Sequence, residues 1–219
     1  LRYGVIFDMD GVLVDSAQPH LESWQQLAHE IGREFTDRQF WETFGRQNRD
    51  IIPYAFGVNE PARIEQLGER KEVIYRDIIR EHVPAVSGAV ELVRSCHEAG
   101  FVLAIGSSGP PENVDVVLDG MGISPLFSAR ITAREAKRGK PDPQVFILAA
   151  EALGLPPRQC AVIEDAPAGV RAAKAAGAAV VALAGGHPAE TLAEADLVVR
   201  SFAEVTPARI RQLIERHAS

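Results

Sequence analysis

Cysteine is scarce in this sequence: Cys96 and Cys160 are the only two in 219 residues. That is too few for a disulfide framework, and neither has a CxxC or Cys/His spacing that suits zinc. A reducing, cytoplasmic setting is therefore expected. Concentrated positive charge is missing as well, since 23 basic residues stand against 30 acidic ones for a net charge of −7, with a pI near 5.4. Such a chain lacks the basic footprint that draws nucleic acid or anionic lipid. Apolar runs such as Ala178 to Ala184 fall well short of the ~20 residues that cross a bilayer, so neither nucleic acid nor membrane is an expected partner. No internal repeat is visible. The first residues enter a strand-like pattern directly, with no basic leader or cleavage site, and a start at Leu1 instead of Met reads as a trimmed or partial chain.

With 46% hydrophobic residues, the length suits one globular domain, or one domain carrying a smaller insert. Strand-like runs span Tyr3 to Phe7, Val102 to Gly106, Ala129 to Thr132, Ala161 to Glu164, Ala179 to Leu183 and Leu197 to Val199. Helical spacing fills Ala89 to Ala99, Asn113 to Asp119, Val145 to Leu153 and Ala168 to Ala176, each stopped by glycine. This βα alternation predicts an α/β fold, a doubly wound parallel sheet with helices on both faces and ligands beyond the carboxyl ends of its strands. The alternation fails between Asp15 and Val86, where helices are predicted at Ala17 to Ile31, Asp37 to Phe44 after a Thr36 cap and before Gly45, Asp50 to Phe56, and Pro61 to Glu81. A core of residues 1–14 and 87–219 with a helical insert over 15–86 is expected. In a last helix, Pro207 to His217, the Ile210, Leu213 and Ile214 stripe is expected to face the core and not a dimer partner, so a monomer is expected.

The first strand runs into Asp8-Met9-Asp10-Gly11. Alternate strand residues share a face, which would bring Asp8 and Asp10 to one side ~6 to 7 Å apart. Taken alone, the tetrapeptide suits a solvated turn equally well. Another apolar run ends in Glu164-Asp165. Should the two strand ends be neighbours, four carboxylates crowd one rim, which calls for a cation. Oxygen ligands favour magnesium over zinc. Ser107-Ser108-Gly109 ends a further strand ahead of Pro110, Pro111 and a helix N-terminus suited to anions, and Lys140 precedes a later helix as a fixed positive charge. Singly, the serine loop is an ordinary turn and the lysine a solvated one.

In that order, Asp-x-Asp-Gly, Ser, Lys and Glu-Asp resemble the four-motif signature of the haloacid dehalogenase superfamily over essentially the whole chain. The insert resembles the small α-helical cap of its β-phosphoglucomutase and sugar-phosphate phosphatase branch. The resemblance implies Asp8 as a nucleophile forming an aspartyl phosphate and Asp10 as general acid and base. It also implies that Ser107 and Lys140 hold the phosphoryl group, and that Mg²⁺ lies on Asp8, the Asp10 carbonyl and Asp165, with Glu164 positioning a metal-bound water. His20, Arg49 in a loop after Gly45, and Lys71 with Tyr75 one turn later resemble positions that touch the sugar or a second phosphate. Each has a plainer alternative, His20 packing near Trp24 and Lys71 paired with Glu72 or solvated.

Ser108-Gly109-Pro110-Pro111 departs from the mutase pattern, which carries a Lys-Asn pair there, so a phosphatase of a small phosphorylated metabolite, a sugar phosphate, is preferred, with Ser108 among its substrate contacts. A phosphosugar mutase is the alternative. A phospho-receiver domain would need neither the insert nor Asp10 for turnover. A carbon–halogen hydrolase has no use for Asp10 or Mg²⁺, and a dinucleotide site would want G-x-G-x-x-G after the first strand. A non-catalytic interaction protein need not retain every charge of a phosphoryl-transfer site.

Overall fold

The computed structural model describes residues 2–43 and 46–217; the expected helix end at Phe44 and stop at Gly45 lie outside them. In chain order the elements are β1 (Gly4–Phe7), α1 (Ala17–Glu30), α2 (Asp37–Thr43), α3 (Asn48–Phe56), α4 (Pro61–Ile79), α5 (Ala89–Glu98), β2 (Val102–Gly106), α6 (Pro111–Gly120), β3 (Phe127–Ile131), α7 (Gln144–Ala152), β4 (Cys160–Glu164), α8 (Pro167–Ala176), β5 (Ala179–Leu183), β6 (Leu197–Val199) and α9 (Pro207–His217), joined by short 3₁₀ turns. Contacts divide the chain into two units, Leu1–Asp15 with Val83–Ser219, and Ser16–His82.

The first unit holds a six-stranded sheet in the order β3-β2-β1-β4-β5-β6, with every pairing parallel. Val, Ile and Ala fill β1, β4 and β5 without alternation and are buried throughout, as a sheet covered on both faces requires. Pairing aligns Gly4 of β1 with Val102 on one side and Cys160 on the other. Succession runs from β1 outward through β2 to β3, then returns to β4 on β1's other flank. That reversal opens a crevice beyond the carboxyl ends of β1 and β4. Cys96 and Cys160 are free and buried, and burial pushes both thiols up to about 12. Ile210 and Ile214 of α9 are fully buried. No helix among the described residues is long and apolar enough to cross a membrane.

The second unit builds its own core where α1 contributes Leu21, Trp24 and Leu27 at helical spacing and α4 contributes Leu67 and Ile74. Trp24 stacks on Phe35 at 5.5 Å between centroids. Thr36 and Gln39 form a reciprocal capping pair at the start of α2, with the Gln39 N–H donating to the Thr36 hydroxyl and the Thr36 N–H to the Gln39 amide oxygen.

Several expected boundaries shift for identifiable reasons. Strand β3 begins at Phe127, two residues ahead of the expected Ala129, because Phe127 is buried edge-on against Phe7. Residues Asp15 and 83–86 join the first unit and not an insert spanning 15–86, since the Asp15 N–H donates to the Pro84 carbonyl and the Val86 N–H to the Leu13 carbonyl. Arg49, expected in a loop, lies in the first turn of α3, which starts at Asn48 and not Asp50.

Candidate active site

The strand β1 ends at Phe7, so Asp8 and Asp10 are not two alternate residues of one strand as their spacing suggested. Asp8 extends the ladder by one bond, its N–H donating to the Ile163 carbonyl at 3.0 Å. The chain then curls, with the N–H groups of Leu13 and Val14 closing on the Met9 carbonyl at 2.8 and 3.1 Å. Gly11 permits the curl through its left-handed φ of +73°. A Cβ on Gly11 would also overlap the Asp165 carboxylate. The glycine of the first acidic motif thus makes room for the last acid of the second.

At the ends of β1 and β4, three buried residues, Asp8, Glu164 and Asp165, offer carboxylate oxygens that all lie within 4.8 Å of one another. The Asp10 carboxylate is not in this group, although its charge acts on Asp8 and Asp165. Lys140 enters from the loop before α7. Its Nζ donates to Asp8 Oδ1 at 2.7 Å and to Glu164 Oε1 at 2.5 Å, and it lies 4.9 Å from the centre of the Phe146 ring. The loop is held by its own polar groups, since the Arg138 N–H donates to Gln144 Oε1 at 2.8 Å and the Gln144 N–H to Asp142 Oδ1 at 3.0 Å. Ser107, just past β2, is buried, and its Oγ accepts the Gly109 N–H at 3.0 Å. That contact leaves the hydroxyl proton to serve as a donor. Ser108 is exposed.

Charge in this cluster is out of balance. Burial, aided by the charges of Glu164 and Asp10, pushes the Asp8 carboxyl up to about 7 against the pull of Lys140. Burial and the Glu164, Asp8 and Asp10 charges push Asp165 up to about 8. Burial works against the Lys140 ammonium, yet Asp8 and Glu164 outweigh it and raise its pKa. Three buried carboxylates answered by one ammonium, with only oxygen donors in the group, fit a hard divalent cation such as Mg²⁺. Asp8 and Asp165 are the side chains that would hold it, with Glu164 adding buried negative charge beside them.

Glu164 is fully buried and has more partners than a role on one metal-bound water requires. Its Oε2 accepts the N–H groups of Asp165 and Ala166 at 2.8 and 3.0 Å, while Oε1 takes Lys140. No local pattern signals the Glu164 to Lys140 contact, which joins residues 24 apart in the chain.

The remaining candidates lie in the second unit. Lys71 is buried; its Nζ lies 2.7 Å from His20 Nδ1 and 3.1 Å from Glu72 Oε1. His20 stacks on Tyr75 at 4.0 Å between centroids. Because an ammonium has only donors, that short contact makes Nδ1 the acceptor and assigns the imidazole proton to Nε2. The Lys71 pairing with Glu72, the plainer alternative for that lysine, is thus present; Asn48 Nδ2, which donates to Glu72 Oε1 at 2.8 Å, is the residue the structure adds, while the neighbouring Arg49 is exposed.

Comparison with known proteins gives a consistent result. A family model described as haloacid dehalogenase-like hydrolase matches residues 4–177. Among curated relatives, the chain is 33% identical over 202 residues to the validoxylamine A 7'-phosphate phosphatase of Streptomyces hygroscopicus subsp. limoneus, covering 91% of this chain and 94% of that one. It is 34% identical over 207 residues to hexitol phosphatase A of Escherichia coli, covering 93% of each. Among solved structures, a β-phosphoglucomutase from Clostridium difficile superposes with a TM-score of 0.85 at 26% identity, covering 99% of both chains.

Proposed function

The chain belongs to the haloacid dehalogenase-like hydrolase family, and from that membership we propose that it is a Mg²⁺-dependent phosphatase of small phosphorylated metabolites, sugar phosphates in particular, working through an aspartyl phosphate on Asp8. It is a phosphohydrolase by family, and its relatives include enzymes named for hexitols, phosphorylated carbohydrates and fructose 1-phosphate. The observation that carries the reading is the pairing of Asp8 with Lys140 at the crevice between β1 and β4.

The chemistry follows from the side chains. Asp8 Oδ attacks phosphorus, forming an O–P bond as the ester P–O bond breaks, and Asp10 gives its proton to the departing alkoxide. Asp10 then takes a proton from water as that water attacks the aspartyl phosphate, which frees inorganic phosphate and restores the Asp8 carboxylate. Lys140 holds Asp8 and, with the Ser107 hydroxyl, stabilises charge on the phosphoryl oxygens. A bound Mg²⁺ supplies positive charge that favours the ionised carboxylates and offsets the repulsion between a carboxylate and a phosphate dianion. Selection of the leaving group is assigned to His20, Lys71 and Arg49, with Ser108 as a further substrate contact, and the enzyme is taken to act as a monomer.

A mutase is the second reading, favoured by the likeness to β-phosphoglucomutase. Against it, the loop after β2 reads Ser108-Gly109-Pro110-Pro111 without a Lys-Asn pair. Incubation with β-glucose 1-phosphate and a trace of the bisphosphate, followed by phosphorus NMR, separates the two. Inorganic phosphate is expected, and dominant glucose 6-phosphate would establish the mutase instead. A panel of phosphate monoesters then identifies the substrate. Asp8→Asn is expected to cut turnover by at least ~10³-fold while keeping the fold; wild-type rates in that variant would rule out the covalent route.

A further inference from the structure

Gly169 is the third residue of α8, is buried and has an ordinary helical φ. Nothing in the backbone requires glycine there, and glycine weakens a helix relative to almost any other residue. The reason lies across the turn, where a Cβ on Gly169 would overlap both oxygens and the carboxyl carbon of Glu164. We propose that Gly169 is a positioning residue for phosphoryl transfer, its bare Cα seating the Glu164 carboxylate beneath the first turn of α8 so that Glu164 can hold Lys140 against Asp8.

The geometry makes the seat exacting. One Glu164 oxygen accepts the N–H groups of Asp165 and Ala166, and the other accepts Lys140 at 2.5 Å. With Glu164 fully buried, a carboxylate pushed aside by a new methyl group must give up the two N–H bonds or the ammonium. Either loss loosens Lys140, whose other carboxylate partner is the proposed nucleophile, Asp8. Gly11 is a similar seat for Asp165, but its φ of +73° demands glycine on its own account. Of these two seats, Gly169 is the one where the steric effect is isolated from backbone strain.

The inference rests on the phosphatase reading for its kinetic consequence and is independent of it for its structural one. The test compares wild type, Gly169→Ala, Glu164→Asp and the double variant as full-length protein. Turnover is followed with p-nitrophenyl phosphate and Mg²⁺; Lys140 exposure is followed by amine-directed labelling located by mass spectrometry, without substrate. Gly169→Ala is expected to lose on the order of 100-fold in kcat with little change in KM, and to label Lys140 faster, at a lower melting temperature because a buried carboxylate loses partners. Glu164→Asp withdraws the carboxylate from the new methyl group, so the double variant is expected to be no worse than Glu164→Asp alone. Wild-type labelling of Lys140 in Gly169→Ala would overturn the proposal, as would a Gly169→Ala loss that adds in full to the Glu164→Asp loss. Should Gly169→Ala not fold, folding of the double variant supports the proposal and its failure overturns it. Because labelling and melting need no substrate, a protein inert toward p-nitrophenyl phosphate would defeat the phosphatase reading while still testing the seat.

Discussion

Lys140 shares one ammonium between two buried carboxylates, and removing it leaves both without their counter-charge. Lys140→Ala is expected to destabilise the metal-free protein by about 3–5 kcal/mol, the usual penalty for breaking a buried ion pair from one side, and urea melts measure it. The loss should grow with pH, because Lys140 is the group that lowers the Asp8 pKa and an unpaired carboxyl escapes the penalty only while protonated. A loss below ~1 kcal/mol would place this pair with solvated surface bridges. At this scale the sequence was legible wherever charge sits at a strand end. Asp8, Glu164 and Asp165 could each be picked out that way, and Lys140 as a fixed charge ahead of a helix. What it hid was partnership: Glu164 reaching Lys140, Gly169 yielding space, and Lys71 turning inward to His20. Each depends on tertiary placement that no local spacing encodes.

Helix α7 shows how an element serves the site beyond carrying a residue to it. Phe146, fully buried in its first turn, lies under the Lys140 ammonium. It also fills the space beside Gly106 at the end of β2, where a Cβ would come within 3.1 Å of the ring. Ser107 follows immediately, so one ring underpins two of the site's groups. Phe146→Ala is expected to cost about 3–5 kcal/mol in stability, whereas Phe146→Leu, which keeps most of the volume, should cost less and still lower kcat through the lost cation–π contact. Chemical denaturation together with steady-state kinetics of both variants separates packing from positioning, and a Leu variant with unchanged kcat would confine Phe146 to packing. Elements themselves were readable because unbroken Val, Ile and Ala runs and glycine stops are local signals. The misplaced edges occur where the deciding contact is distant, as with Phe127 against Phe7 at the start of β3. Helix α3 likewise begins two residues early, at Asn48, whose amide donates to Glu72 of α4.

Over the whole molecule a net charge of −7 argues against polyanions and says nothing about one phosphate, whose capture depends on the local balance at β1 and β4. That balance makes stability, metal binding and pH one linked equilibrium. Burial, with the charges of neighbouring carboxylates, pushes Asp8 and Asp165 up to about 7 and about 8 in the folded, metal-free protein, against an ordinary 3.8. Raised carboxyl pKa values mean that the folded state binds more protons than the unfolded one. Their contribution to stability is therefore complete at pH below the ordinary value and is lost as pH rises through about 7 and about 8. A divalent cation must displace those protons, so its affinity should rise over the same window, and ligand binding stabilises in proportion to the logarithm of occupancy. Melting in EDTA is expected to fall between about pH 6 and about pH 9, and the increase on adding Mg²⁺ to be larger at the higher pH. Scanning calorimetry with and without Mg²⁺ at both pH values measures the four states. A Mg²⁺ increment independent of pH would mean that the carboxylates are already ionised without the metal, and that Lys140 alone balances the rim.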